Sequence, residues 1–518
     1  MATKYEVEPE QHSTNQIKYG ALVSYGSIGF NIISGLLYTP WMIGKIGQSD
    51  YGLYVLSFSI IAIFAFNLGL EIVVARFLSN YRTSGDRTGE IQFLGIAYKM
   101  FFFLTFLLAI LLVALYFFLD VLYGNLNPSD MDKLKVMYPI VGFYILITLL
   151  AKPIDAVFIV NERFIQLNSL LFLEKILIVS FTIGALLAGY GVYSLVVINA
   201  SMILLINVFK LLYVWRWTDT KIDFAASGKG MYREIFVFAF WQTAVSATQN
   251  FLMHIMPTVL VIFASGVAVA IFSIGMVIEG YVLLIATAIN SLFLPKVTRL
   301  NHSGGVKEVE DLMIRVGRIQ LYVIGFITMT FIAMGAEFIH FWVGDDFKES
   351  YVVASLLIAM GLITLPQEIA NIQLVTTNKV RYRAYGMIIS AIIALICSAF
   401  LSGPYGASGA ALSVMIGYLT GNTLFMNIVY VRVLQINVWR FFKECHLKLA
   451  PGLLFILILG IMMQLIFPAS SLLGFVIKAI GLALSYALFT WVFTIDLFEK
   501  ELLQSILPLK RARKGEAS

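Results

Sequence analysis

Leu149-Leu150-Ala151-Lys152-Pro153-Ile154-Asp155 recurs as Leu362-Ile363-Thr364-Leu365-Pro366-Gln367-Glu368: an apolar run, a proline, and a carboxylate two residues later. The two prolines stand about 213 residues apart, and a fixed period is the signature of internal duplication. Two further landmarks keep nearly that offset. Pro40 answers to Pro257 at about 217 residues, and Gly189-Tyr190-Gly191 to Pro404-Tyr405-Gly406 at about 215. Three matches in one order predict a duplicated bundle.

The bundle is a membrane one. The chain is 60% hydrophobic and 13% charged with a mean hydropathy of +0.87, whereas an average soluble domain is about 25% charged. Fourteen apolar runs are long enough to cross the roughly 30 Å hydrocarbon layer. They lie at 18–44, 51–79, 91–120, 136–160, 164–188, 191–215, 233–263, 268–295, 311–342, 350–376, 384–402, 405–431, 449–467 and 470–496.

Orientation follows from the basic residues. With the N-terminus inside, about 28 of the 36 Lys and Arg fall on the cytoplasmic side. Only Lys45, Lys133, Lys135 and Lys348 fall outside. Trp41, Trp215, Trp217, Trp342 and Trp491 stand near span ends, where an amphipathic indole is favoured. Both termini are therefore expected in the cytoplasm. The first apolar segment is too long for a cleavable signal and is expected to stay as a helix. A net charge of +6 suits loops facing anionic lipid and gives no footprint for nucleic acid. With Cys397 in a span and Cys445 in an inner loop, no disulfide framework is expected.

The expected plan is an all-α polytopic protein. A cytoplasmic tail (1–17) precedes an N-lobe of six spans (18–217), a linker (218–232) and a C-lobe of six spans (233–432). An interfacial amphipathic helix (433–448), two last spans (449–497) and a basic cytoplasmic tail (498–518) complete it. Six spans is an even number, so the lobes enter the membrane in one direction and are related by a pseudo-two-fold axis along its normal. Proteins of this plan are mostly transporters, with the substrate site between the halves. No loop is long enough for a separate catalytic domain. A polytopic glycan-assembly enzyme, such as an oligosaccharide polymerase, would need a large outer loop, and none exists. A phosphate-cradling glycine loop and a metal-ligand cluster are also missing from the sequence.

Ser49-Asp50-Tyr51-Gly52-Leu53-Tyr54 opens the second span, and Asn67-Leu68-Gly69-Leu70 stands in its second half. Asn161-Glu162-Arg163-Phe164 joins spans four and five, and Gly189-Tyr190-Gly191 follows span five. In this order the motifs resemble the Wzx-type polysaccharide and O-antigen flippases of the multidrug/oligosaccharidyl-lipid/polysaccharide (MOP) exporter superfamily, over about residues 18–435. The resemblance implies a MATE-like pair of six-helix lobes plus two C-terminal helices. It also implies a substrate: an oligosaccharide on undecaprenyl pyrophosphate, such as an O-antigen or exopolysaccharide repeat unit of lipopolysaccharide assembly. That lipid would be moved across the bacterial cytoplasmic (inner) membrane by alternating access, without catalytic residues, metal or organic cofactor. The implied partners are the lipid-linked oligosaccharide, membrane lipids and a polysaccharide polymerase machinery, and the protein is expected to act as a monomer.

Charges inside spans are costly and mark where to look. Lys152 and Asp155 are three apart in span four and share a helix face. Glu174 and Lys175 lie near the middle of span five, at a depth similar to Lys152. Two readings stay open: a structural ion-pair cluster pinning spans four and five, or Lys152 or Lys175 facing a cavity and attracting pyrophosphate. Glu279 in span eight and Glu368 in span ten have no basic residue nearby in sequence. Each is a coupling candidate for H+ or Na+, against a purely structural role such as an interhelical hydrogen bond beside Pro366.

Spans one and seven are the most polar. Span one carries Tyr25, Asn31 and Tyr38; span seven carries Gln249, Asn250 and His254. Amides and hydroxyls suit sugar hydroxyls, although such residues also serve as hydrogen bonds between helices. Pro40, Pro257, Pro153 and Pro366 are candidate hinges. A cation-coupled multidrug exporter of the same superfamily is the competing expectation. Lysines in spans four and five argue against it, while the scarcity of arginine in spans one and two argues against a lipid II flippase.

Overall fold

The computed structural model describes residues 9–63, 70–218, 221–225, 229–291, 293, 305–377, 379–495 and 499. The motif residues Asn67, Leu68 and Gly69 lie outside that set, as do the basic residues Lys296, Arg299 and Lys510 to Lys514. Among the described residues there are helices and turns and no strand.

The elements, in order, are α1 (Pro9–Ile46), α2 (Gln48–Ala62), α3 (Leu70–Thr83), α4 (Arg87–Phe117), α5 (Leu119–Leu122), α6 (Pro128–Val160), α7 (Phe164–Leu187), α8 (Val192–Trp217) and α9 (Lys229–Phe263). They continue as α10 (Gly266–Ser291), α11 (Val306–Val343), α12 (Ser350–Thr364), α13 (Glu368–Thr376), α14 (Arg381–Tyr418), α15 (Met426–Val433), α16 (Val438–Phe442), α17 (Lys448–Ile466) and α18 (Leu472–Phe493).

Eleven described helical stretches are long and apolar enough to cross a membrane. One of them, Arg381–Val433, takes up the two expected spans 384–402 and 405–431 as two helical segments that meet at a turn at Gly406, with Gly417 and Gly421 of the second packed against Ser390 and Gly386 of the first. The first two expected spans fall on α1 and on α2 with α3, separated by the undescribed residues 64–69.

Local chemistry sets the ends. Asp86 caps α4 by accepting from the Gly89 N–H at 2.8 Å, and Ser471 caps α18 by accepting from Gly474 at 3.2 Å. Pro128 opens α6, where its missing N–H costs nothing. Pro366 acts differently from the other three prolines. It forces a 3-10 turn, Leu365–Gln367, between α12 and α13, whereas Pro40, Pro153 and Pro257 remain inside α1, α6 and α9.

The contacts fall into two compact units. The first holds residues 1–284, 352–357 and 377–426; the second holds 285–351, 358–376 and 427–518. In the first, α1 packs on α7, α9 on α14, and α6 on α2, α3, α4 and α8. Phe93 and Phe101 of α4 are buried with Val74 and Leu78 of α3 and Val157 of α6. Phe102, Phe103, Phe106 and Ile110 on the other face of α4 are exposed. Hydrocarbon solvates such a band without penalty, so tight packing rather than aversion to water holds these helices together.

In the second unit α11 is the hub, touching α13, α17 and α18. The stretch 433–448 forms α16 and a π-turn, Lys443–Leu447, that runs directly into α17. Its Arg440 docks it on the start of α11, reaching Glu310 at 2.9 Å and Asp311 at 2.7 Å, with Glu444 at 2.8 Å beside it. Phe441 is buried while Trp439 is 75% exposed, an amphipathic division within one turn.

Candidate substrate-translocation site

Helix α8 packs extensively against both α6 and α7, while α6 and α7 touch each other far less. A side chain on α8 is therefore placed to mediate between charges on the other two. Lys210 does this. Its Nζ donates to Asp155 Oδ1 at 2.8 Å, and both side chains are buried. Lys152, on the same helix as Asp155, stands farther off at 3.8 Å from Oδ2 and keeps 26% of its side-chain exposure. Glu174 lies within electrostatic reach of Lys210, Lys175, Asp155 and Lys152. Lys175 is half-buried and makes no hydrogen bond or ion pair among the described residues. Three lysines and two carboxylates thus share one set of helices, and one positive charge is left over.

Polar residues of α1 and α9 are half-buried. Asn31, Gln249, Asn250 and His254 are all intermediate in exposure, and Tyr25 is 40% exposed. The side chains of Asn31, Gln249, Asn250 and His254 make no hydrogen bond among the described residues. Polar groups in that condition face water or a polar ligand, since a fully buried one without a partner costs about 1–3 kcal/mol. Tyr38 belongs to a different surface. Its hydroxyl lies near Thr182 of α7, and its ring lies 6.3 Å from that of Trp41. Tyr51, Tyr54 and Tyr281 lie close to it and to one another. Asn199 of α8 donates to the Tyr54 hydroxyl at 3.4 Å, and Phe58 connects Tyr54 to Tyr144 through ring contacts at 5.1 and 5.8 Å.

Glu279 of α10 is 6% exposed and has no ion pair or hydrogen bond among the described residues; Tyr418 is the group nearest to it electrostatically. Glu368 is in a different situation. Asn371 donates to its Oε2 at 2.9 Å, and Tyr430 of α15 donates to Asn371 Oδ1 at 2.8 Å, which links α13 to α15. Pro153 and Pro257 are buried inside their helices, and Pro366 is buried in its 3-10 turn.

Comparison with solved structures gives this arrangement a context. The lipid II flippase MurJ, in an inward closed conformation, matches with a TM-score of 0.67 at 14% identity, covering 93% of this chain and 100% of that one. An inward-facing multidrug resistance MATE transporter of the MOP superfamily matches with a TM-score of 0.58 at 13% identity, over 80% of this chain and 99% of its own. A MOP superfamily transporter from Pyrococcus furiosus, described by the reverse polarity of its binding pocket, matches with a TM-score of 0.57 at 15% identity, over 84% and 97%. The chain has the fold of the MOP-superfamily transporters. It is a multi-pass membrane protein. No protein-family model and no curated protein matches it.

Within this MOP fold, several buried charges escaped the sequence reading. Lys210 is one, because its partner Asp155 lies 55 residues away on another helix. Arg318, Glu337, Lys478 and Glu499 are others. Arg318 Nε and Nη2 donate to the two Glu499 oxygens at 2.6 and 2.9 Å, and Nη1 donates to the Glu444 carbonyl at 3.1 Å. Lys478 of α18 donates to Glu337 of α11 at 2.6 Å. The available signal was the charge itself: Lys478 falls inside the last apolar run, where a lone lysine needs a carboxylate.

Proposed function

We propose that this protein is a flippase for an oligosaccharide linked to undecaprenyl pyrophosphate, moving it across the bacterial cytoplasmic membrane by alternating access. The observation that carries the reading is the surplus cation of the α6–α8 cluster. A diphosphate brings negative charge to a place where Lys152, Lys175 and Lys210 outnumber Asp155 and Glu174. Charge-assisted hydrogen bonds to phosphate are roughly twice as strong as neutral ones. A cationic drug would meet repulsion there instead.

The rest of the molecule supports the same reading. The side chains of Asn31, Gln249 and Asn250 are amides without hydrogen bonds among the described residues, suited to sugar hydroxyls, with Tyr25 nearby in sequence on α1 as a stacking surface. The likeness to the lipid II flippase spans 93% of the chain, against 80% for the multidrug transporter. In this proposal fourteen spans form two six-helix lobes, 18–217 and 233–432, with two helices added and both termini cytoplasmic. The lobes rock, with Pro40, Pro257, Pro153 and Pro366 as bending points, and the product passes to a polysaccharide polymerase machinery.

Glu279 favours a second reading. A buried carboxylate with no hydrogen bond or ion pair among the described residues suits H+ or Na+, and the same group would serve a cation-coupled multidrug exporter. Reconstitution in liposomes separates the two. A fluorescent undecaprenyl-pyrophosphate oligosaccharide is followed to the opposite leaflet with and without a proton or sodium gradient. Protein-dependent movement supports the flippase; no movement across several glycans, with efflux of cationic dyes, replaces it with the exporter.

A further inference from the structure

Where α3, α4, α6 and α8 end together, the first unit holds a polar pocket of about 550 Å³. Its charged lining is Arg82, Arg87, Arg163 and Lys221 against the single carboxylate of Glu90. The backbone explains how these side chains meet. Arg82 spends its guanidinium on structure, bonding Glu90 at 2.5 Å, Asn161 Oδ1 at 2.9 Å and the Val160 carbonyl at 3.2 Å. That fixes the turn at the end of α6, where Glu162 takes a left-handed φ of 53° and Asn161 donates back to Val157 at 2.7 Å. The turn delivers Arg163 at the start of α7. Lys221 is delivered from the other side, by the strand of chain after α8. The Asp223 N–H bonds the Ile91 carbonyl at 3.3 Å, and the approach is so close that a Cβ on Gly95 would stand 1.9 Å from the Asp223 carbonyl oxygen.

Arg163 and Lys221 are the distinctive members. Among the described residues neither side chain has an ion pair or hydrogen bond, and the same holds for the side chain of Arg216 next to them. The N-terminus of α7, which has no side-chain cap, lies at the same end and adds partial positive charge. The pocket is therefore selective for an anion of two or more acceptor oxygens.

A second cavity says what kind of anion. Trp217 lines the basic pocket and also an apolar groove of about 660 Å³ between α7 and α8. Leu170 and Leu173 line that groove from α7, and Phe209, Leu212 and Tyr213 from α8, spaced as one helix face each. Trp217 is 67% exposed and Trp215 81% exposed, the amphipathic rings that favour the boundary between headgroups and hydrocarbon. A basic pocket opening through a tryptophan into a greasy groove on the lipid-facing side has the polarity of a phospholipid.

We propose that this composite cavity binds an anionic glycerophospholipid, its phosphate held by Arg163 and Lys221 and an acyl chain laid along the α7–α8 groove past Trp217. The placement in the inner leaflet rests on the orientation proposed above; binding itself does not. Basic pockets at the cytoplasmic side of membrane helices hold anionic headgroups. The bound lipid would join α4, α7 and the α8 linker at the end of the helix bundle that carries the Asp155 cluster.

The test uses the full-length protein purified in detergent, stripped of lipid and titrated with phosphatidylglycerol under native mass spectrometry. Phosphatidylethanolamine, inorganic phosphate and undecaprenyl pyrophosphate serve as competitors. The expected result is retention of phosphatidylglycerol at least tenfold above phosphatidylethanolamine, falling at least tenfold in an Arg163→Gln, Lys221→Gln variant. Both substituted side chains are partly or fully exposed, and a thermal midpoint close to the parent's shows that the variant is folded. A phosphatidylglycerol carrying a photoreactive acyl chain is expected to label α7 and α8 near Leu173 and Leu212. Equal retention of both phospholipids, unchanged binding by the variant, or labelling elsewhere would overturn the proposal. So would displacement by inorganic phosphate alone, or preferential capture of undecaprenyl pyrophosphate. Transport is not read in this assay, so its outcome is independent of the flippase reading.

Discussion

Buried charge is used in two ways in this molecule. In the second unit each buried charge meets one opposite charge at short range, and the remaining acceptors are used as well. Glu499 takes two bonds from Arg318, whose other N–H groups reach the Thr494 and Glu444 carbonyls. Glu337 takes Lys478 at 2.6 Å on one oxygen and the Ala469 N–H at 3.1 Å on the other. In the first unit the α6–α8 cluster is unbalanced: one tight pair, Lys210–Asp155, one loose contact from Lys152, and a half-buried Lys175 with none among the described residues. A balanced, fully bonded pair acts as a fastening. A cluster with a cation left over has capacity for an anion that is not part of the protein.

The sharpest way to break the comparison is at Arg318. Removing one partner of a buried pair costs about 3–5 kcal/mol, because the other charge stays behind without compensation. Arg318→Met is therefore expected to produce the largest fall in thermal midpoint of the substitutions considered, measured on protein in detergent. The double variant Arg318→Met, Glu499→Leu is expected to recover most of it. A single variant as stable as the parent would show that the fastening is idle.

The first unit is expected to behave in the opposite way. Lys152→Ala with Lys175→Ala leaves the tight Lys210–Asp155 pair in place, so the thermal midpoint should fall less than in Arg318→Met. Movement of the lipid-linked glycan in liposomes should slow at least tenfold, equivalent to about 1.4 kcal/mol. Asp155→Asn is the internal control. It leaves Lys210 buried without its carboxylate and should destabilise by a few kcal/mol, as a fastening does. Normal transport by the double lysine variant would erase the distinction between the two regions.

Glu279 gives a smaller and different effect. Its carboxylate is buried without a hydrogen bond or ion pair among the described residues, so Glu279→Gln removes a group that is costly to ionise and should leave the thermal midpoint level or slightly higher. Any stimulation of transport by an ion gradient should fall several-fold. A variant that loses stability but keeps the gradient response would make Glu279 structural.

What the sequence could reveal follows the range of the interaction. Span positions are local, a matter of apolar length, and eleven described helical stretches are long and apolar enough to cross a membrane. The turn between spans 384–402 and 405–431 was legible as well, because Pro404 and glycine interrupt the apolar pattern where Gly406 leaves the helical region. Pairing was least legible. Lys152 and Asp155 share a helix face, so the local rule joined them, whereas the closer partner Lys210 comes from α8 through the packing of α6, α7 and α8. Arg318 and Glu499 stand 181 residues apart, and no spacing rule connects them.

The finest difference expected lies between two turns that the sequence match pairs, Gly189-Tyr190-Gly191 and Pro404-Tyr405-Gly406. Gly189 ends α7 at φ 87°, with the Tyr190 N–H returning to the Ala185 carbonyl at 3.0 Å. Its counterpart region in the second repeat carries Gly406 at φ 53° and ψ −133°. The first lies on the side of positive φ that glycine enters at helix ends, and nothing stands within 4 Å of the site where a Cβ would be. Gly189→Ala is therefore expected to cost about 1 kcal/mol from the backbone alone. The second conformation pairs positive φ with an extended ψ, a combination that side chains avoid more strongly, so Gly406→Ala should cost about 1–3 kcal/mol. Thermal midpoints of the two variants in one detergent decide it. A larger loss at Gly406 means that this turn is the more strained of the pair and fixes the reversal between the two helical segments of Arg381–Val433. Equal losses would mean that the two turns constrain their helices alike, despite their different backbone angles.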